Sequence, residues 1–575
     1  MKNIKKIFQV SLLTMSLFFS MKSGYAQVIS NHFFGENAWM PDTIGDYQAC
    51  KEPPCILNGK LHKQWGNIKN SGTSIVRFGG IAPDKNMPTN YQYIKMIDSI
   101  RANGMEPIMQ VPFYNNRYTA QQAADIVKFI NVTKNEKIKY WIIANEPDLG
   151  YSYTTSAQIA QYFRPFASAM KAIDPSILII GPEISSFNQT IMNGLTTPNG
   201  PDDITGKDAS GNYYLDVISF HTYPFNGSQT RAQVVSKLTA PYSLNDNLIY
   251  LNTRVAACNI AHNRTGVALL KTAITEANIN WQNSASDNLS GVGANSFIGG
   301  QFIAEMMGIG MKNSVDFINI WSVVEGNSTV SNVGFIDATT YNKKPSFFHF
   351  KLLAENFKGN YVNGITNQSN VKSFGSQDAQ QVSVLILNED QTNNYNFTVR
   401  LNNDKANVNN ALIININAGI SKEYVGKISS QSSVLLIFNA SGDIIKKYEY
   451  SLNDNAMANL APTYTEFAST VITPPAPATD SAVVATTING ISNDSEMKVF
   501  PNPSNGKFTI QFNNENSELK NIQLINTIGQ EVYSKSSTFI GGNEEIELEG
   551  NIAAGAYILR VMDGKNTTTK KIIIN

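Results

Sequence analysis

The sequence predicts an α/β protein: a (β/α)8 TIM barrel followed by a β-sandwich, with a further small all-β unit at the C-terminus. Three observations predict it. From Phe33 to Glu325, strand-like apolar runs alternate with amphipathic helical stretches, and eight such units of this total length close a parallel barrel. After Pro345 the pattern becomes period-2 runs with polar turns, which fits short antiparallel strands packed face to face. Beyond a Thr-, Ala- and Pro-rich stretch, a last group of short strands runs to the end of the chain.

In chain order, Lys2, Lys5 and Lys6 precede an apolar run, Ile7 to Ser20, shorter than the ~20 residues a membrane span needs. With Gly24-Tyr25-Ala26 behind it, this reads as a secretory signal peptide over 1–26, cut before Gln27. The barrel takes 27–355. Its strands end near Phe34-Gly35-Glu36, Ile75 to Phe78, Ile108 to Val111, Trp141 to Ala144, Leu178 to Ile180, Val217 to Phe220, Thr272 to Ile274 and Phe317 to Ile320. Helical periodicity lies between them at Tyr91 to Ala102, Thr119 to Ile130, Ser156 to Ile173 and Gly299 to Met306, and Phe347 to Glu355 closes the barrel. An open doubly wound sheet is disfavoured because no Gly-rich phosphate loop follows the first strand.

The sandwich is expected over 356–452, with strands at Val382 to Leu387, Tyr395 to Val399, Ala411 to Ile414 and Ser433 to Phe438. No exposed aromatic platform stands out in it, so a buttress is expected rather than a sugar-binding module. Residues 453–494, containing Val471-Ile472-Thr473-Pro474-Pro475-Ala476-Pro477, form a linker. The last unit covers 495–575.

Forty-five basic and forty-five acidic residues cancel, so no global field favours nucleic acid or an acidic membrane, and no nucleic-acid partner is expected. Many aromatic and few charged residues suit neutral, stackable ligands such as sugars. Cys50 and Cys55 bracket a Pro-rich loop and can close a local disulfide after export. Cys258 falls in an apolar helical stretch, as a buried thiol. No metal-binding cluster is evident, and no metal or cofactor is expected. A monomer is expected.

Two strands end abruptly in glutamate: Ile142-Ile143-Ala144-Asn145-Glu146-Pro147 and Ala273-Ile274-Thr275-Glu276-Ala277. A carboxylate where a buried strand stops is costly without partners, and barrel geometry returns both to one mouth. One carboxyl that keeps its proton beside one that stays ionised is the equipment for cleaving a glycosidic bond. Arg77 ends strand two, where an opposite charge lowers the pKa of a facing carboxyl. His221 and Tyr223 follow strand six, and Trp321 ends strand eight as a floor for a sugar ring. Glu36, Glu183, Glu325 and Asp148 also fall at strand ends or in the loops beyond; the first three are candidates for substrate hydroxyls, none for the chemistry. The length of the loop from Asn188 to Gly211 suggests a walled cleft.

The ordered set of Arg77, Asn145-Glu146, His221-Thr222-Tyr223, Glu276 and Trp321 resembles clan A of the glycoside hydrolases. The resemblance implies a retaining mechanism with Glu146 as acid/base and Glu276 as nucleophile. Asn145 would bond the sugar 2-hydroxyl, Tyr223 would aim its hydroxyl at Glu276, and His221 would touch the acid/base or the sugar. A barrel followed directly by a sandwich looks most like families 30, 39, 51 and 79, which include β-xylosidases, glucuronidases and arabinofuranosidases. Val76-Arg77-Phe78-Gly79-Gly80 only approximates the strand-two motif of some of them, and no single family is chosen. The implied substrate is a polysaccharide or oligosaccharide. The alternative is a non-catalytic surface carbohydrate-binding or adhesion protein on the same scaffold.

At the C-terminus, Val499-Phe500-Pro501-Asn502-Pro503-Ser504-Asn505-Gly506, Ile525-Asn526-Thr527-Ile528-Gly529-Gln530-Glu531-Val532-Tyr533, Ala554-Gly555-Ala556-Tyr557-Ile558-Leu559-Arg560-Val561 and Lys570-Lys571-Ile572-Ile573-Ile574 resemble the sorting domain of type IX secretion. The resemblance implies a Bacteroidetes-type origin and engagement of that secretion machinery. It also implies export through periplasm and outer membrane, then release or attachment to the cell surface.

Overall fold

The computed structural model describes residues 27–39, 59–240, 243–326, 328–402, 412–453 and 461–467. In the C-terminal domain it describes 497–512, 519–526, 531–538, 543–548, 552, 555–562 and 567–575. The signal peptide, the Cys50–Cys55 loop and most of the linker lie outside these residues. The chain divides into two units, 1–471 and 472–575.

Eight parallel strands close the barrel of the first unit: β1 (Phe34–Asn37), β2 (Ile75–Phe78), β3 (Glu106–Val111), β4 (Tyr140–Ile143), β5 (Leu178–Ile184), β6 (Val217–Thr222), β7 (Lys271–Ala277) and β8 (Phe317–Ile320). The ring is sealed where Phe34 and Glu36 of β1 pair with Ile318 and Ile320 of β8. Side chains alternate inward and outward along each strand. The inward set begins with a packed apolar plug of Ile75, Ile108, Tyr140, Ile142, Ile180, Val217, Ala273 and Phe317. Two residues further along the strands come buried Asn37, Arg77, Gln110, Ser219 and Asn319. The barrel therefore turns from apolar to polar toward its C-terminal mouth.

Four helices start with the same capping box, a Thr side chain on the third backbone N–H and a Gln reaching back: Thr89/Gln92, Thr119/Gln122, Thr155/Gln158 and Thr230/Gln233. The helix expected over Thr119 to Ile130 is α-helical over Ala120–Val127 and widens to a π-turn at Lys128–Thr133. The one expected over Gly299 to Met306 runs longer, Phe297–Lys312. It is buried nearly all round because it lies between barrel and sandwich, which erases the amphipathic signal that marks a helix end.

The sandwich comprises β9 (Asn360–Thr366), β10 (Val371–Gln377), β11 (Gln381–Asn388), β12 (Tyr395–Arg400), β13 (Leu412–Ile416), β14 (Glu423–Ile428), β15 (Ser432–Asn439), β16 (Ile444–Ser451) and β17 (Thr463–Glu466). Strand β9 serves both sheets: its first half pairs with β10 and its second half with β13. Two expected boundaries move. Gln27–Val28 pairs with Asn360–Tyr361, so the first described residues belong to the sandwich. Strand β17 pairs with β16, so the sandwich extends past 452 into the stretch read as linker.

The sandwich docks on helix Phe297–Lys312. The Gln301 amide donates to the carbonyls of Asn388 and Ser432, and Phe374 fills the space over Gly308, where a Cβ would sit 2.3 Å from its ring. Cys258 is buried and free, as expected.

The second unit holds a three-stranded sheet of β18 (Met497–Phe500), β19 (Lys507–Phe512) and β22 (Asn543–Glu547). A four-stranded sheet of β20 (Leu519–Asn526), β21 (Glu531–Thr538), β23 (Gly555–Met562) and β24 (Thr567–Ile574) completes it. Met497, Phe508, Ile510, Ile522, Leu524, Leu559 and Ile572 build its core.

Candidate active site

Glu146 follows β4 and opens the short helix Pro147–Gly150, with its own backbone left-handed at φ 46°. Ala144 (φ 70°) and Glu183 (φ 61°) also have positive φ, unusual for residues with a Cβ, and such strain persists only where surroundings enforce it. Here the Glu146 N–H is held by the Glu183 carbonyl at 2.9 Å. Glu276 is delivered by an irregularity in β7: pairing with β6 jumps from Phe220↔Ile274 to His221↔Glu276, so Thr275 and Glu276 both reach the mouth.

Arg77 is fully buried and organises the site. Its Nη1 donates to Asn37 Oδ1 (2.8 Å) and Glu276 Oε2 (3.0 Å). Its Nη2 donates to Asn145 Oδ1 (2.7 Å) and Glu183 Oε2 (3.1 Å). His221, equally buried, faces Glu146 Oε1 through Nδ1 (2.9 Å) and Glu183 Oε2 through Nε2 (3.2 Å). Glu276 Oε2 lies 3.7 Å from His221 Nδ1, and its Oε1 accepts the Tyr223 hydroxyl at 2.6 Å.

The electrostatics follow from this wiring. Burial pushes the Glu183 carboxyl up, but Arg77, His221 and Ser219 outweigh it and hold the group down at about 2. Burial likewise opposes a charge on His221, yet Glu276, Glu146 and Glu183 raise the ring to about 10, so it is an imidazolium at neutral pH. Glu276 is raised by burial and by the facing Glu146, against the pull of His221, Arg77 and Tyr223. Three carboxyls therefore surround two cations, and the cluster is neutral when one carboxyl keeps its proton. Glu183, gripped by Arg77 and His221, is fixed as an anion.

Glu146, His221 and Glu276 present ligand atoms within 4.8 Å of one another, the one grouping with metal-ligand spacing among the described residues. An imidazolium that donates from both nitrogens has no lone pair for a metal, and Arg77 lies 3.0 Å from Glu276. The wiring fits an ion-pair network better than a metal centre.

Trp321 stacks on Trp39 (centroids 5.9 Å, 18° between planes) and donates through Nε1 to Glu325 Oε1 at 2.9 Å. Gly80 lets it pack there, since a Cβ would sit 2.8 Å from the indole. Burial and the charge of Glu276 raise the Glu325 carboxyl to about 7, against Trp321 and Lys344. A cavity of about 600 Å³ at the mouth is lined by Glu146, Leu149, Ser185, Tyr223, Glu276, Trp281 and Trp321.

The structure thus brings together Arg77, Asn145, Glu146, His221, Tyr223, Glu276 and Trp321. Other expectations need correction. Glu36 faces outward from the barrel, because Gly35 and Asn37 take the inward positions, and it is buried away from the mouth. Glu183 is buried beneath the mouth with its oxygens on Arg77, His221, Ser219 and Thr275, so it braces the site and has no place against a sugar. Asp148 is occupied by the backbone N–H and hydroxyl of Ser185. The segment Asn188 to Gly211 folds in part into helix Gln189–Leu195 and contributes nothing to the cavity lining. The walls come instead from Trp281 and Leu149. Period-2 alternation marks Asn37, Gln110 and Ser219 as inward polar positions, whereas nothing local marks Glu183 as a brace or Trp281 as a wall.

Residues 498–575 match the family model described as a secretion system C-terminal sorting domain. The chain therefore carries a type IX sorting domain and is exported, to be secreted or attached to the cell surface. No curated protein matches the chain. A family 51 alpha-L-arabinofuranosidase from Bifidobacterium longum superposes with a TM-score of 0.50 at 12% identity, covering 72% of this chain and 97% of that one. A bifunctional glucanase-xylanase from a metagenome library gives 0.48 at 15% identity, with the same 72% and 97% coverage. A monomeric beta-xylosidase from Caulobacter crescentus gives 0.47 at 12%, again over 72% and 97%. At these identities the first likeness shows the fold, a barrel continued by a sandwich.

Proposed function

We propose that the protein is an exported retaining glycoside hydrolase acting on a polysaccharide or oligosaccharide, with Glu276 as nucleophile and Glu146 as acid/base. The observation that carries this reading is the carboxyl pair: an oxygen of Glu146 and one of Glu276 lie within 4.8 Å. Retaining enzymes hold their two carboxyls about 5–5.5 Å apart, whereas inverting enzymes need about 6.5–9.5 Å to admit a water.

The roles follow from the surroundings. Glu276 is gripped by Arg77 and Tyr223, which favour its anion and aim it. It attacks the anomeric carbon as the glycosidic C–O bond breaks, and the proton of Glu146 passes to the departing oxygen. Glu146 then takes a proton from water, whose oxygen displaces Glu276 from the anomeric carbon and restores both groups. Glu146 is the more exposed of the two carboxyls, as a group exchanging protons with leaving group and water must be. Asn145 has its Oδ1 fixed by Arg77, which directs its amide nitrogen to a sugar hydroxyl, and Trp321 offers the ring floor.

The test is hydrolysis of a panel of aryl glycosides and neutral polysaccharides by the full mature chain. Glu276→Ala should abolish turnover. Glu146→Gln should lower kcat by roughly 10²–10⁴, less with good leaving groups. Full activity in Glu276→Ala would overturn the assignment.

A further inference from the structure

Two of the largest exposed apolar side chains of the barrel, Leu149 (69% exposed) and Trp281 (57%), line the same cavity as Glu146 and Glu276. Isolated exposed apolar residues are ordinary. Two on one catalytic cavity, each on an anchored segment, are not. Trp281 sits in a segment pinned by Asn278, whose amide donates to the carbonyls of Trp321 and Val333. Further along, Asn283 accepts from the Ala294 N–H and donates to the Asn332 carbonyl. Leu149 rides on the short helix after Glu146, which Asp148 staples to Ser185. Neither side chain lies in the core, so each offers apolar surface to whatever enters.

Strand order fixes their relation. Leu149 follows β4, diametrically across the closed barrel from β8, which Trp321 follows, and Trp281 follows the adjacent β7. Apolar surface thus stands on both sides of the carboxyl pair. A volume of about 600 Å³ lies within the range of roughly 300–1,000 Å³ that encloses a ligand of several rings. The charged lining groups are Glu146 and Glu276, while the cations beneath, Arg77 and His221, are fully buried and engaged by carboxylates. A substrate carboxylate would meet like charge, whereas the apolar face of an uncharged ring finds Trp281 and Leu149.

We infer that Trp281 and Leu149 clasp a second, uncharged sugar ring beside the one being cleaved. The substrate is then a neutral chain crossing the mouth rather than one glycosyl unit on a small aglycone. This rests on the glycosidase reading, and the experiment separates the two. Neutral hexasaccharides of β-1,4-linked glucose, xylose and mannose, and an acidic oligouronide of equal length, are titrated into the full mature chain carrying Glu276→Ala. Binding is read by calorimetry, with and without Trp281→Ala, Trp281→Phe or Leu149→Ala. At least one neutral hexasaccharide should bind, Trp281→Ala and Leu149→Ala should each weaken it by about tenfold or more, and Trp281→Phe should restore most of the loss. In active protein the same substitutions should act mainly through KM, and more on the hexasaccharide than on an aryl glycoside. Tighter binding of the oligouronide, or binding indifferent to both side chains, would overturn the clasp even if hydrolysis is observed. Hydrolysis absent from every substrate, with neutral binding still lost in Trp281→Ala, would overturn the glycosidase reading and leave the clasp standing.

Discussion

Replacing Glu183 by Gln tests the charge balance beneath the site. In the native protein this carboxyl is held at about 2 against an ordinary 4.5, which corresponds to about 3 kcal/mol favouring the folded state. Because the folded-state value is depressed, that contribution is fully present above pH 4.5 and fades as pH falls toward 2. At pH 7 Glu183→Gln forfeits all of it, in keeping with the roughly 3–5 kcal/mol lost when one partner of a buried ion pair is removed. Tm should fall by several degrees. The chemistry should shift as well. Without the Glu183 anion, Arg77 and His221 are left to Glu146 and Glu276 alone, so their pull on Glu276 strengthens and its raised carboxyl comes down. The acidic limb of kcat/KM against pH, which the ionisation of the nucleophile sets and an aryl glycoside follows, should move to lower pH. An unmoved acidic limb together with an unchanged Tm would refute the three-carboxyl, two-cation account.

Tyr223→Phe removes a 2.6 Å hydrogen bond to Glu276. A bond to a charged group is worth about 1.5–3 kcal/mol, so kcat, followed with an aryl glycoside, should fall by roughly 10- to 100-fold. At the barrel–sandwich junction, burial raises Glu305 to about 7, opposed by Lys372. A raised carboxyl loses stability as pH climbs from 4.5 through 7, so Glu305→Gln should gain Tm relative to wild type above pH 7 and show no gain below pH 4.5, in a thermal melt series. His349 is buried on Ser433 and held down to about 4. Its ring is neutral in the fold, so stability falls as pH drops from 6.5 toward 4. His349→Gln should flatten that limb of the same melts.

The barrel was legible because most of its strands are apolar runs separated by stretches of helical periodicity. The proposed catalytic pair was legible because Glu146 and Glu276 interrupt such runs. What escaped depends on tertiary geometry. Glu36 and Asn37 are neighbours, and only the register against Ile75 and Arg77 shows that Asn37 points inward. Glu183 reads as one more strand-end carboxylate until the irregular stretch of β5 between Gly181 and Ile184 places it under Arg77 and His221. Trp281 lies in a loop whose course is set by distant anchors at Trp321 and Val333. Helix Phe297–Lys312 lost its periodic signal because the sandwich covers its outer face.

The most direct test of the central claim is to trap the intermediate. The full mature chain is incubated with an activated 2-deoxy-2-fluoro glycoside of whichever sugar it hydrolyses, then digested and mapped by mass spectrometry. A single glycosyl ester on Glu276, formed in wild type and absent from Glu276→Ala, is the result predicted. An ester on Glu146, Glu183 or Glu325, or first-formed product of inverted anomeric configuration, would contradict it.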